Sequence, residues 1–305
     1  MKSRVAISLT LCTVSIMFTV VSYADGAETV AHWKFNDRAE DMRYTANTEG
    51  DPNMSLQFGR NLNDRLFDPS WITVYSGAYG KRYCADFDNF NDRDELTYCK
   101  ATSEWDQKHY ASLAPETYTI EMIWKFQEWM PGGDELAWDK DNPWSLFSLM
   151  DKNSAKYAYL VRVDGSKFNV YFGPGRVLNH QTWGTDQVAW PGEWMYLALQ
   201  YDGNDTSLFV KNLSRGTDGN SVSDPNIGPL GWDCSTSDGS FALGADALSN
   251  GAYRRTLDGV VDEFRVSSGV VPEEDRLYKD SWPATVDTFE GYSDTTDLKT
   301  AWADY

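Results

Sequence analysis

Apolar residues recur at every second position in a series of short runs. Gly, Asp, Asn and Pro bound these runs, as in strands with one buried face. Residues 29–35 (TVAHWKF) are the first run, and residues 117–126 (TYTIEMIWKF) alternate most clearly. Residues 144–150 and 157–163 follow, and Asp164-Gly165-Ser166 reads as a tight turn into residues 167–172. Residues 193–201 pass through Asp202-Gly203-Asn204-Asp205 into residues 206–211, and residues 241–244 and 257–266 complete the series. This spacing predicts antiparallel hairpins rather than βαβ units. One helix is expected. Pro272 and the acids Glu273, Glu274 and Asp275 suit a first turn, and Pro283 stops it. Residues 36–53, 128–143 and 217–239 are polar and rich in turn residues, and read as long loops.

The N-terminus breaks this pattern. Lys2 and Arg4 precede residues 5–21, which carry no charge, and Ser22-Tyr23-Ala24 offers a small-residue exit. This predicts a secretory signal peptide over residues 1–24, cleaved after Ala24. The apolar run is near the lower limit for spanning a bilayer, and no later run is long enough. The chain is therefore expected to be secreted, periplasmic or at the cell surface, with no membrane insertion after the signal is removed. A single domain is expected over residues 25–283. Residues 284–305 read as a linker or the start of a truncated following module.

Charge narrows the partners. Residues 1–24 hold two of the 27 basic residues and no acid, so the remainder carries 25 basic against 46 acidic side chains, a formal −21. Such a field repels nucleic acid and anionic membrane. The acids are dispersed along the chain rather than gathered in one block.

Of four cysteines, Cys12 leaves with the signal. Cys84 and Cys99 flank a short polar loop and are expected to form a disulfide in an oxidising compartment, leaving Cys234 over. The cysteine and histidine spacings do not suit zinc.

The runs VAHWKFND, YTIEMIWKF, WMYLALQYDGNDTSLFVKN, FALGAD and LDGVVDEFRVSSGVVPEEDRLY occur in one order over residues 28–282. In that order the chain resembles the concanavalin A-like lectin/glucanase superfamily, in particular the laminin-G-like jelly-roll domains of bacterial secreted proteins. The resemblance implies an all-β, two-sheet antiparallel jelly-roll sandwich with one short C-terminal helix. It implies a function on the concave sheet or its edge loops, and a structural Ca²⁺ held in part by Asp262 of the closing VDEFRV strand. The fold does not fix the activity.

The chemistry of a site has to come from residues. The E-x-D-x-x-E pattern of related glucanases is absent, although Glu121 and Glu128 flank an apolar strand. Residues 171–181 (YFGPGRVLNHQ) distantly resemble an alginate-lyase strand but lack its Lys and its partner strands. An anionic polysaccharide would also be repelled by the chain, unless a basic cleft is local. No G-x-S-x-G motif or phosphate loop occurs. Aromatics make up 14% of residues, with 13 Trp, and ring faces suit sugar stacking. Trp129, Trp138 and Trp183 in loop-like contexts, with Arg176 and His180, are the candidate carbohydrate-binding residues. Trp33, Trp124 and Trp194 fall on strands and are expected in the core. The expected role is a non-catalytic carbohydrate-binding or adhesion-type module of a larger extracellular protein, with a glycan or cell-surface ligand as partner. The alternative is a polysaccharide lyase or glycoside hydrolase of the same fold.

Overall fold

The computed structural model describes residues 26–35, 44–59, 70–76, 80–87, 98–126, 144–164, 167–173, 175–181, 192–216, 218–225 and 239–281. The expected signal peptide and C-terminal module lie outside them.

The first half of the chain forms β1 (Glu28–Trp33), β2 (Tyr44–Thr45), β3 (Glu49–Gly50), β4 (Leu56–Gly59), β5 (Ser70–Ser76), β6 (Gly80–Phe87), β7 (Tyr98–Ala101), α1 (Gln107–Ser112), β8 (Tyr118–Phe126) and β9 (Trp144–Asp151). The second half forms β10 (Lys156–Asp164), β11 (Lys167–Gly173), β12 (Gly175–Gln181), β13 (Trp194–Tyr201), β14 (Thr206–Asn212), β15 (Asn220–Asp224), β16 (Gly239–Leu243), β17 (Asp246–Ala247), β18 (Tyr253–Arg254), β19 (Gly259–Ser268) and α2 (Leu277–Ser281).

Two antiparallel sheets result. The first runs β15-β14-β13-β8-β19-β1-β3, with β6 also paired to β19 and β5 to β6. The second runs β12-β11-β10-β9-β16-β7-β4-β2, and β17 and β18 form a separate hairpin. The alternating residues of each strand explain the layering. Ile120, Met122 and Trp124 of β8 share one core with Leu146, Phe147 and Leu149 of β9. Phe264 of the first sheet meets Phe147 of the second at 5.2 Å between ring centroids. The protein is thus the expected all-β jelly-roll sandwich.

The expected DGND turn forms between β13 and β14. Gly203 takes φ +100°, a conformation that favours glycine. Asp202 accepts the amides of Asp205 at 2.7 Å and Asn204 at 2.9 Å. Those amides hold its carboxyl below the ordinary carboxylate range.

Three expectations change. The acid-rich segment Glu273–Asp275 makes a 3-10 turn, and the α-helix begins only at Leu277. Leu277 and Tyr278 then pack on Ile123, Tyr196 and Ala198, closing the outer face of the first sheet. A second helix, α1, has only six residues, too few to show a periodic pattern. Asp106 caps it, accepting the amides of Lys108 and His109. Trp33 and Trp124 are fully buried as expected, but Trp194 lies partly buried in the outer cluster beneath α2.

The Cys84–Cys99 bridge is absent. Ala85 faces the core, so its neighbour Cys84 faces the other side of β6, where its thiol donates to Oδ1 of Asp262 at 3.4 Å. Cys99 sits in the core on β7 of the opposite sheet, and burial pushes its thiol up. A loop long enough to be closed by a disulfide is not closed when its ends enter different sheets and face different layers.

Candidate ligand-binding site

The two sheets differ on their outer faces. On the first, most buried carboxylates are engaged, although Nε and Nη1 of Arg276 have no hydrogen-bond partner among the described residues. Glu121 is fully buried and accepts from Arg265, the Tyr196 hydroxyl and the Leu277 amide. Glu263 lies 3.0 Å from His32 Nε2, and Glu49 lies 3.4 Å from its Nδ1. A hydrogen bond from Lys34 to Glu49 at 2.9 Å holds the Glu49 carboxyl below the ordinary range. These contacts join β1, β8, β13 and β19 to α2, and act as structural connections.

Asp262 belongs to the same face. The register of β19 on β8 shifts between Val261 and Glu263, so Asp262 is the extra residue of a β-bulge. It is buried and faces a thiol, a soft neighbour for a hard cation. Among the described residues no group of three or more His, Cys, Asp or Glu could hold a metal ion.

The outer face of the second sheet is different. The β17–β18 hairpin lies on it, and small residues let it approach closely. Ala245 and Ala247 pack with Tyr98, Met150 and Ala242. Ser148 fixes the approach by donating to Ala245 O at 2.8 Å and accepting from Ala247 N at 2.7 Å. Tyr253 of β18 stacks on Tyr98 with centroids 4.1 Å apart.

Beside this stack opens a cleft of about 400 Å³. Trp105, Tyr110 and Tyr253 give it aromatic walls, and Gln57, Thr102, Ser103 and Ser240 give it amide and hydroxyl groups. Its charged lining residues are Lys100 and Lys152, with no carboxylate among them. The Thr102 hydroxyl is buried there without a hydrogen-bond partner. Burial pushes the phenols of Tyr98 and Tyr253 up, so both stay neutral near pH 7.

Trp105 is anchored by its indole N–H to Ser55 O at 3.0 Å and by stacking on Trp33 at 6.2 Å. Tyr110 depends on Gly239, because a Cβ there would lie 2.5 Å from the Tyr110 ring. Gly239→Ala is therefore expected to push α1 off β16. Overpacking of this kind costs about 1–3 kcal/mol. Chemical denaturation together with ligand titration would check it, with both stability and affinity reduced.

On the other side of the hairpin lies an ionic cluster. Asp246 is fully buried and accepts from the Ser145 hydroxyl, from Arg162, from Arg254 Nε at 3.3 Å and from Arg255 Nη1 at 3.0 Å. The Arg162 guanidinium also covers the Tyr171 ring at 4.7 Å.

Of the sequence candidates, Trp129, Trp138 and Trp183 lie outside the described residues. Arg176 and His180 fall on β12, paired with Tyr171 and Phe168 on β11, and their side chains are outside the described set. The cleft and the arginine cluster were not singled out from the sequence. The one available signal was Arg254-Arg255, a basic doublet in an acidic chain.

No family model matches the chain, and no curated protein matches it. Among solved structures, an arabinofuranosidase complexed with arabinofuranosyl-α-1,2-xylobiose is 12% identical, with a TM-score of 0.49, over 76% of this chain and 48% of that one. The Ruminococcus gnavus IT-sialidase CBM40 bound to α2,6 sialyllactose is 13% identical, with a TM-score of 0.39, over 67% of this chain and 93% of that one. The LG1-3 region of the laminin α2 chain is 12% identical, with a TM-score of 0.36, over 52% and 29%. This chain thus spans about half the length of the arabinofuranosidase and less of the laminin fragment. At these scores no function is carried over from any of the three.

Proposed function

We propose that this chain is a non-catalytic glycan-binding module of an exported protein, and that the cleft beside Tyr253 is its binding site. The observation that carries this reading is the cleft's lining: aromatic walls, amide and hydroxyl groups, two ammonium groups and no carboxylate. Ring faces cover the apolar side of a sugar, and short polar side chains reach its hydroxyls. A volume of about 400 Å³ falls at the small end of ligand sites, enough for one or two sugar rings.

The same lining supports binding over turnover. A glycosidase needs two carboxylates across the bond it breaks. A lyase needs a base, and the two tyrosines of this region are held protonated. Export belongs to the proposal through residues 1–24. Among the described residues no helix is long and apolar enough to cross a membrane.

A printed glycan array, run beside reducing-sugar and unsaturated-uronate assays on the same preparation, tests the reading. One glycan class should be retained, with no product released. Tyr253→Ala should weaken retention about tenfold, as expected for losing a stacking platform worth ~1.4 kcal/mol. Product release, or no retention of any glycan, would overturn it.

A further inference from the structure

We infer that the ligand of this face carries an acidic group, a carboxylate or a sulfate on a saccharide, and that Arg254 and Arg255 receive it. This rests on the glycan-binding reading and adds the chemical class of the sugar.

Three guanidiniums surround the Asp246 carboxylate, so two positive charges remain without a partner inside the cluster. One arginine would suffice to satisfy a buried Asp. Arg162 already does so with two hydrogen bonds, and its other surface covers Tyr171. Arg254 and Arg255 are therefore in excess of what the fold requires. They are in excess within a chain that carries 46 acids against 27 bases, where unneutralised basic pairs have ample carboxylate elsewhere to meet.

Arg255 Nε is buried with no hydrogen-bond partner among the described residues, although its Nη1 reaches Asp246. That N–H is closed to solvent, as are Nε and Nη1 of Arg276 by the other sheet, so the group open to a ligand here is the half-exposed Arg254. The Arg254 side chain is 50% exposed, and among the described residues it meets Asp246 through Nε, at 3.3 Å, and the Tyr157 phenol. Its outer edge faces solvent.

Arg255 takes φ +52°, the left-handed region that L-residues with a Cβ seldom adopt. Strain of this sort persists where the surroundings impose it, and it gathers at ligand sites. Here it places two successive arginine side chains around one carboxylate instead of on opposite sides of a strand.

Arg254 follows Tyr253 directly, and Tyr253 is a wall of the cleft. Lys100 and Lys152 thus lie in the cleft on the Tyr253 side of the hairpin, and Arg254 and Arg255 at the cluster on its other side. A guanidinium presents parallel N–H groups that match a carboxylate or sulfate. The acidic chain repels an anionic polymer at long range, and this face is the local basic region that reverses the sign.

A glycan array printed with neutral, carboxylated and sulfated members of the same backbones tests the inference on the full chain. Retention should be at least tenfold stronger for an acidic member than for its neutral counterpart. The carboxylated and sulfated arms then separate the two sources of charge. Arg254→Gln should weaken acidic retention about tenfold, the loss of one charge-assisted hydrogen bond. Lys211→Gln, on the outer face of the other sheet, should leave it unchanged. Arg255→Gln should behave as Arg254→Gln does. If it fails to fold, the half-exposed Arg254 still gives the reading. Equal or stronger retention of neutral members, or equal losses in Arg254→Gln and Lys211→Gln, would overturn the inference while leaving glycan binding intact. No retention of any member would overturn both.

Discussion

Asp246→Asn is expected to lower folding stability by about 3–5 kcal/mol, the usual cost of removing one member of a buried ion pair. Asparagine keeps the shape of the side chain, so packing in the hairpin is nearly unchanged and the difference reports charge. Arg162 would then lie beneath the hairpin with 11% of its side chain exposed and no counter-ion. Arg254 and Arg255 would add like charge beside it. The measurement is a urea transition, read at its midpoint with the slope checked for constancy. The double variant Asp246→Asn, Arg162→Met should recover a substantial part of the loss, because the stranded charge is gone. The coupling between the two sites, taken from the full cycle, should exceed 1 kcal/mol. A single-variant loss below about 1 kcal/mol would show that solvent already screens the cluster, as it does for surface pairs.

The same cluster shows where sequence reading stops. Strands were legible because successive side chains point to opposite faces of a sheet. Residues 117–126 alternate, and β8 runs over Tyr118–Phe126. The DGND turn was legible because its glycine and asparagine supply local conformations and local hydrogen bonds. The β17–β18 hairpin was not, since its buried strand residues are one alanine and one aspartate and each strand has two residues. Its partners are also remote in sequence: Asp246 meets Arg162 across 84 residues. The cysteines failed for a related reason. Their spacing allowed a bridge, but the sheet to which each strand is assigned depends on pairings that no local pattern encodes. The cleft combines Gln57, Lys100, Tyr110, Ser240 and Tyr253 from five separated segments, a combination that no local pattern encodes.

Glu121 is the strongest case of a residue whose sequence context misleads, and its replacement is the second large effect expected. In sequence it is an acid within an apolar strand. In the fold it is fully buried on the outer side of β8, under the segment that ends in α2. Arg265 Nε donates to its Oε2 at 2.7 Å, Tyr196 donates to its Oε1 at 2.7 Å and the Leu277 amide donates to Oε1 at 2.8 Å. Burial, with the Glu121 charge beside it, pushes the Tyr196 phenol up and keeps it a donor. Glu121→Gln keeps the volume but removes the charge opposite Arg265, whose side chain is only 13% exposed. It also turns an acceptor edge into a donor that faces donors. The expected loss is about 3–5 kcal/mol. Tyr196→Phe, which removes one hydrogen bond, should cost about 1 kcal/mol. The larger effect should have a local signature. Without the carboxylate, the Leu277 amide loses its acceptor and α2 loses its main polar tie to the sheet. Hydrogen exchange at Leu277 should then quicken more than exchange in β8, because peripheral elements open before the core does. If Glu121→Gln costs no more than Tyr196→Phe, or if Leu277 and β8 exchange together, the carboxylate is not the clasp that holds the C-terminal segment and apolar contact of Leu277 and Tyr278 holds it instead.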